Sequence, residues 1–132
     1  MLDAQGLVKL AAGDPGVRAR VREALDRGSD VVTAASTLAG VLRGGPRDAP
    51  MHQALRHVTV IGISRDHGRR AGELLGATQM AGGQHTVDAL LAAVALAQRR
   101  PAVLLTSDPD DMARLTEEPD RKRTQRVAVV GI

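Results

Sequence analysis

Short runs rich in β-branched residues alternate along this chain with longer stretches of helical period, and that alternation limits the architectures open to it. Val31-Val32-Thr33, Val58–Ile63, Ala102–Leu105 and Val127–Ile132 read as strands. Between them, Val17, Val21, Ala24 and Leu25 recur at helical spacing, as do Leu38, Val41 and Leu42. Ala49–His57 reads as a short helix, and Ser64 caps another in which Ala71, Leu74 and Leu75 face inward. His85–Arg100 is apolar nearly all round and predicts a buried helix. Asp108-Pro109 opens a last helix to about Glu118, and a charged connector, Glu117–Arg126, leads into the final strand. Crossovers of this length imply a parallel sheet covered by helices on both faces. Counting the apolar stub Met1-Leu2, the expected fold is an α/β three-layer sandwich around a central parallel sheet of about five strands. Residues 1–132 read as one domain, with Gly76–Gln84 as a glycine-bearing loop.

Composition excludes several function classes. Cysteine is absent, which removes disulfides, thiol nucleophiles and Cys-based zinc sites. Phe, Tyr and Trp are absent too, so bases cannot stack on aromatic rings. The core must come from Leu, Val, Ile, Met and Ala. The longest apolar stretch, Ala89–Ala97, falls far short of the ~20 residues of a membrane span. No cationic start followed by an apolar run suggests a signal peptide, and a cytoplasmic, non-membrane protein is expected. The formal net charge is +3, carried by arginines with only Lys9 and Lys122 as lysines. A basic excess suits a polyanion, but Arg, Ala and Gly richness also follows from high-GC coding.

In open α/β sheets ligands gather outside the carboxyl ends of the strands. Asp3 follows Met1-Leu2, and Asp108 follows Ala102–Leu105 with Thr106-Ser107 between them; Asp110 and Asp111 come just behind. Asp88 stands among Val87, Leu90, Leu91 and Ala92, where an ionised carboxylate needs a partner. If Asp3, Asp88 and Asp108 converge, each pair about 5 Å apart repels by roughly 3 kcal/mol at an effective dielectric of about 20. Mg²⁺ or Mn²⁺ would offset that repulsion and would suit phosphodiester hydrolysis. Each acid alone reads equally well as a helix cap or a first-turn charge on the helix dipole. Only their joint placement favours a metal site.

Three segments in order resemble the motifs of the PIN-domain ribonucleases, in particular VapC-like toxins of the type II VapBC toxin–antitoxin pairs. LDAQGLVKL (Leu2–Leu10) is similar to the first motif, VDALLAAVAL (Val87–Leu96) to the motif that opens an apolar helix, and LLTSDPDDM (Leu104–Met112) to the last acidic motif. RAGELLGATQ (Arg70–Gln79) also reads like a connecting piece of an actinobacterial-style subfamily. The resemblance runs nearly end to end. It implies a PIN-like fold, Asp3, Asp88 and Asp108 as metal-site acids, and Asp111, with Asp110 nearby, as an assisting acid. It further implies a Mg²⁺- or Mn²⁺-dependent endoribonuclease acting on RNA, a homodimer, and a cognate VapB-like antitoxin.

Two departures stand out. TLAGVLRGG (Thr37–Gly45) matches the stretch that usually carries a second acid, and Gly40 takes that acid's place. The rival reading follows: a degenerate PIN-fold module, weak or inactive in catalysis, that binds RNA or protein. Only Met1 and Leu2 precede Asp3, so the first strand is expected to be very short, or the native start to lie upstream. His85, three residues before Asp88, stands where related chains often carry an acid; it reads either as a ligand or phosphate contact or as a plain helix-start histidine. His52, His57 and His67 lack partners at metal spacing, and Gly82-Gly83-Gln84 is no phosphate loop. Basic residues form three clusters, Arg18 with Arg22, Arg65 to Arg70, and Arg121 to Arg126, which read by default as solvated faces; the second and third are the candidates for a nucleic-acid backbone.

Overall fold

A computed structural model describes residues 1–132. Beyond the Met1-Leu2 stub the chain is helical at once, in α1 (Ala4–Ala12). The sequence carries the signal for this helix in the Asp3 cap and the spacing of Leu7, Leu10 and Ala11. In α2 (Pro15–Asp26) Pro15 sits in the first turn, and the Asp14 carboxylate accepts a hydrogen bond from the Val17 amide at 3.0 Å. Gly28 follows that helix with φ +74°, the left-handed turn that glycine allows. Then come β1 (Val32–Ala34), α3 (Ala35–Val41), α4 (Ala49–Leu55), β2 (Thr59–Ile61), α5 (Arg65–Thr78), α6 (Gly82–Leu96), β3 (Val103–Thr106), α7 (Pro109–Leu115) and β4 (Ala128–Gly131).

The strands are parallel, as the helical crossovers demand, but they do not form the expected five-stranded sheet. β1 pairs with β2 and β3 with β4, in two separate two-stranded sheets. Met1–Asp3 lies between them. Leu2 N–H donates to Val32 O at 3.0 Å, Leu105 N–H to Met1 O at 2.9 Å, and Asp3 N–H to Leu105 O at 3.2 Å. The reason for the break is length. Only Leu2 forms a β-bridge, with Leu105, because Asp3 already begins α1. Two residues cannot carry a ladder.

The glycine-bearing loop also proves shorter than expected. α5 runs on to Thr78 and α6 begins at Gly82, leaving a three-residue link. Gln79, at φ +57°, takes the left-handed position after α5 that a glycine more often fills. Packing of α5 on α6 overrides the low helix propensity of Gly82 and Gly83. The buried character of α6 is as its sequence predicts: Ala89 and the whole run Leu91–Ala95 are buried. Its core partners include Leu74, Leu104, Met112 and Leu115. A second apolar cluster gathers Leu2, Leu7, Val17, Val21, Val31, Met51, Val58 and Leu105, so the N-terminal stub is held by packing as well as by hydrogen bonds.

Helices α6 and α7 stop earlier than their apolar pattern suggests, and one ion pair takes over. Arg100, 7% exposed, forms a two-pronged pair with Glu118, at 2.6 and 3.0 Å. The same guanidinium donates to the carbonyls of Leu96, Gln98 and Gln125. It thereby ties the end of α6 to the connector ahead of β4. The Arg100 guanidinium holds the Glu118 carboxyl below the usual glutamate range. Arg100→Met should therefore destabilise the protein by about 2 kcal/mol in urea unfolding, since it leaves a largely buried carboxylate with only the half-exposed Arg121 as its ion-pair partner. A depressed carboxyl pKa contributes stability that is complete above the ordinary glutamate range and is lost as pH falls through the depressed value. The gap between the two proteins should accordingly narrow in acid and stay constant from pH 6 to 8.

Candidate functional site

The parallel run of Met1–Asp3 beside β3 delivers Asp3 and Asp108 to one rim. Thr33 Oγ1 donates to Leu2 O at 2.8 Å, which sets the end of β1 beside Asp3. Asp3 is 8% exposed and rigidly held. Its Oδ1 accepts the Gly6 amide at 2.7 Å and its Oδ2 accepts the Ser107 amide at 3.0 Å. The cap and the site are thus the same carboxylate, and each oxygen keeps accepting capacity for another partner. A Cβ on Gly6 would stand 3.2 Å from Leu2 Cδ2 and 3.4 Å from Asp3 Oδ1, so glycine suits this close approach.

Asp108 occupies the cap position of α7, but its carboxylate makes no capping bond. Its backbone N–H instead donates to Thr106 Oγ1 at 3.0 Å. The cap reading of Asp108 and its pairing with Asp111 therefore do not hold, and the Asp108 carboxylate is exposed at the rim. Asp110 and Asp111 do lie in the first turn of α7. Asp88 lies in the second turn of α6, because that helix starts at Gly82; the first-turn dipole no longer accounts for it.

Asp88 is where the acids register one another. Burial pushes its carboxyl above the ordinary aspartate range, and the negative charges of Asp108, Asp3 and Asp111 add to that, with His85 opposing them. Asp88 thus feels the charges of Asp3, Asp108 and Asp111. Asp110 is exposed on α7. His85, one turn before Asp88, places Nδ1 3.9 Å from Asp88 Oδ2 and 3.7 Å from Asp111 Oδ2.

Sequence reasoning passes over two further buried groups. Ser36 Oγ and Thr37 Oγ1, in the first turn of α3 just beyond β1, are buried hydroxyls without a hydrogen-bond partner. The Thr-x-x-Ser-Thr run after strand one is the signal that could have found them. Gly40, on the same helix, is exposed, and a Cβ there would meet only Ala4 Cβ, at an ordinary 3.7 Å. Nothing steric demands glycine at that position. By contrast Asp48, the other buried acid, is taken up by backbone: its carboxylate accepts from the Arg43 and Gly44 amides, which hold its pKa below the usual range.

As placed, no three of the carboxylates and histidines stand close enough to bind a single ion. The donor types are still those that a hard divalent cation takes: carboxylate oxygens that repel one another. The basic clusters are less convergent. Arg69 and Arg70 pair with Asp66 and Glu73 on their own helix, and Arg121 pairs with Glu118. Arg18 and Arg22 line a groove with Leu10, Pro50 and His57, at the far end of α1 from Asp3. No helix is long and apolar enough to cross a membrane.

No family model and no curated protein matches the chain. Among solved structures, it superposes on a chain from the crystal structure of VapBC2 from Rickettsia felis bound to a DNA fragment from their promoter. The TM-score is 0.70, over 100% of this chain and 97% of that one, at 20% sequence identity. The likeness is one of fold. This chain carries that shared fold on two small sheets.

Crowded like charges predict a trade between function and stability. Asp88→Asn should raise the melting temperature at pH 7 by about 2–4 °C, a modest value because the side chain is 37% exposed. A raised carboxyl pKa makes the ionised form unfavourable in the fold, so the advantage is full above Asp88's own pKa. It should fade as pH falls through that value and vanish below the ordinary aspartate range. Melting curves from pH 3.5 to 8 check both sign and window.

Proposed function

We propose that this protein is a metal-dependent endoribonuclease of the VapC toxin type. The observation that supports this reading is that Asp88 feels the charges of Asp3, Asp108 and Asp111 in a fold shared with a chain of a VapBC2 complex. Asp3, Asp88 and Asp108 would hold Mg²⁺ or Mn²⁺, and Asp111 would assist directly or through water. Such a cation, when bound, offsets the carboxylate charge, acidifies a water and withdraws charge from a phosphodiester oxygen.

The protein's own part is positioning. The Gly6 and Ser107 amides fix Asp3, so one donor is preorganised before any ion arrives. Asp108, free of hydrogen bonds to its cap, can turn toward the same point. Asp88 comes from the most buried helix, with its own side chain 37% exposed. Arginines near the rim would meet the RNA backbone, since no aromatic ring is available for stacking. On this reading the partners are RNA, a VapB-like antitoxin and a second copy of the chain, in the cytoplasm. The neighbour's VapBC2 complex supports the antitoxin.

Gly40 favours a second reading. The helix facing α1 offers no donor there although a side chain would fit, which suits a module that binds RNA or protein without cutting it. Cleavage of a structured RNA with Mn²⁺ or Mg²⁺ separates the two. The nuclease reading expects metal-dependent cutting that falls at least 100-fold in Asp108→Asn. Asp108 is the cleaner test, because Asp3→Asn would also oppose an amide N–H to the Ser107 N–H. An inert wild type that begins to cut as Gly40→Glu establishes the degenerate module.

A further inference from the structure

β2 has β1 as its only strand partner, so its other edge is open. The Thr59 amide donates to Val31 O at 2.8 Å, and the register pairs Thr59 with Val32 and Ile61 with Ala34. Alternation along the strand therefore turns the N–H and C=O of Val60 to the open edge. On either side of it, the N–H and C=O of Gly62 and the C=O of Val58 have no hydrogen-bond partner in the fold, whereas the Val58 amide already donates to Leu55 O at 3.1 Å. Proteins commonly guard such an edge with charge, proline, a bulge or a cover. Val58–Ile63 holds no charged residue and no proline, and Val60 and Ile63 are 38% and 37% exposed. The opposite edge is guarded: the Val127 amide, next to β4, donates to Glu118 in the connector at 3.4 Å.

We propose that the β2 edge is a homodimer interface, in which two copies pair antiparallel about a two-fold axis at Val60. The inference deepens the second-copy partner of the preceding reading by naming its surface, and it does not draw on the acidic rim. In this register the free groups match. Val60 N–H donates to the partner's Val60 O, Gly62 N–H donates to the partner's Val58 O, and the axis repeats each bond. The Val58 amide, already occupied, is not called on. A register centred on Ile61 instead pairs Val60 with Gly62 and leaves the carbonyl of Val58, a residue 8% exposed, without a donor. An uncharged segment lets two identical edges meet without repulsion. A second copy also brings a strand already held extended by β1, so little ordering entropy opposes the contact. Pairing consumes the edge, and assembly closes at two copies.

Sedimentation velocity of the full chain from about 1 to 200 µM tests this. Val60→Lys and Val60→Glu leave the bonds to β1 in place, because the Val60 backbone faces outward and its side chain is exposed. Either change alone sets like charges opposite one another across the axis, and should raise the dissociation constant at least about tenfold. An equimolar mixture of the two should form a heterodimer that recovers wild-type affinity to within about threefold. Gly62→Pro removes an outward amide without adding charge and should weaken the dimer as well. Circular dichroism melts check that each variant keeps the fold. A wild type that stays monomeric at the highest concentration, a dimer that both charged variants leave unchanged, or a mixture that stays monomeric overturns the inference. Metal-dependent cleavage is read in a separate assay, so each of these results leaves the nuclease reading standing, and an inert enzyme leaves the interface standing.

Discussion

Three residues hold the two halves of this molecule together. Met1–Asp3 hydrogen-bonds to β1 on one side and β3 on the other, and Leu2 is buried among residues from both flanks. Without that strip the sheets β1–β2 and β3–β4 have no shared edge. The strip ends in a carboxylate with both oxygens fixed by amides, one from α1 and one from the turn after β3. Assembly of the fold and placement of Asp3 are one event. A change that loosens Leu2 would therefore displace Asp3 before it unfolded anything else.

Around that fixed point the protein gathers charges that resist being gathered. Asp48 shows how the same chain treats an acid it wants only for structure: it surrounds the carboxylate with amides, and the pKa falls. Asp88 receives the opposite treatment, with burial and three acidic neighbours, and its pKa rises. Strain of this kind has no structural benefit, and it is common where a ligand supplies the missing charge. Arg100 and Glu118 show that the molecule can pair buried charges tightly when stability is the object.

Local chemistry was legible in the sequence; lengths and junctions were not. β-Branched runs located all four strands, and the all-round apolar pattern located the buried helix α6. Asp3, Asp108 and Asp111 were readable as strand-end and helix-start acids, and that is where they lie. The start of α6 was not readable, since Gly82-Gly83 disfavours a helix and only packing against α5 makes one. That error also placed Asp88 in a first turn, where a dipole would have explained it. The five-stranded sheet failed for a related reason: periodicity cannot show that capping α1 begins at the third residue. The orphaned hydroxyls of Ser36 and Thr37 depend on burial, which no local pattern encodes.

Gly40 and His85 make sense together when charge is counted. A fifth acid on α3 would add a repulsion of roughly 3 kcal/mol for each neighbour about 5 Å away, all of it borne by the metal-free protein. Gly40 removes that burden, and with it one oxygen donor. His85 stands beside Asp88 and Asp111 without adding a further negative charge, so both positions spare the fold one more carboxylate to hold against its neighbours.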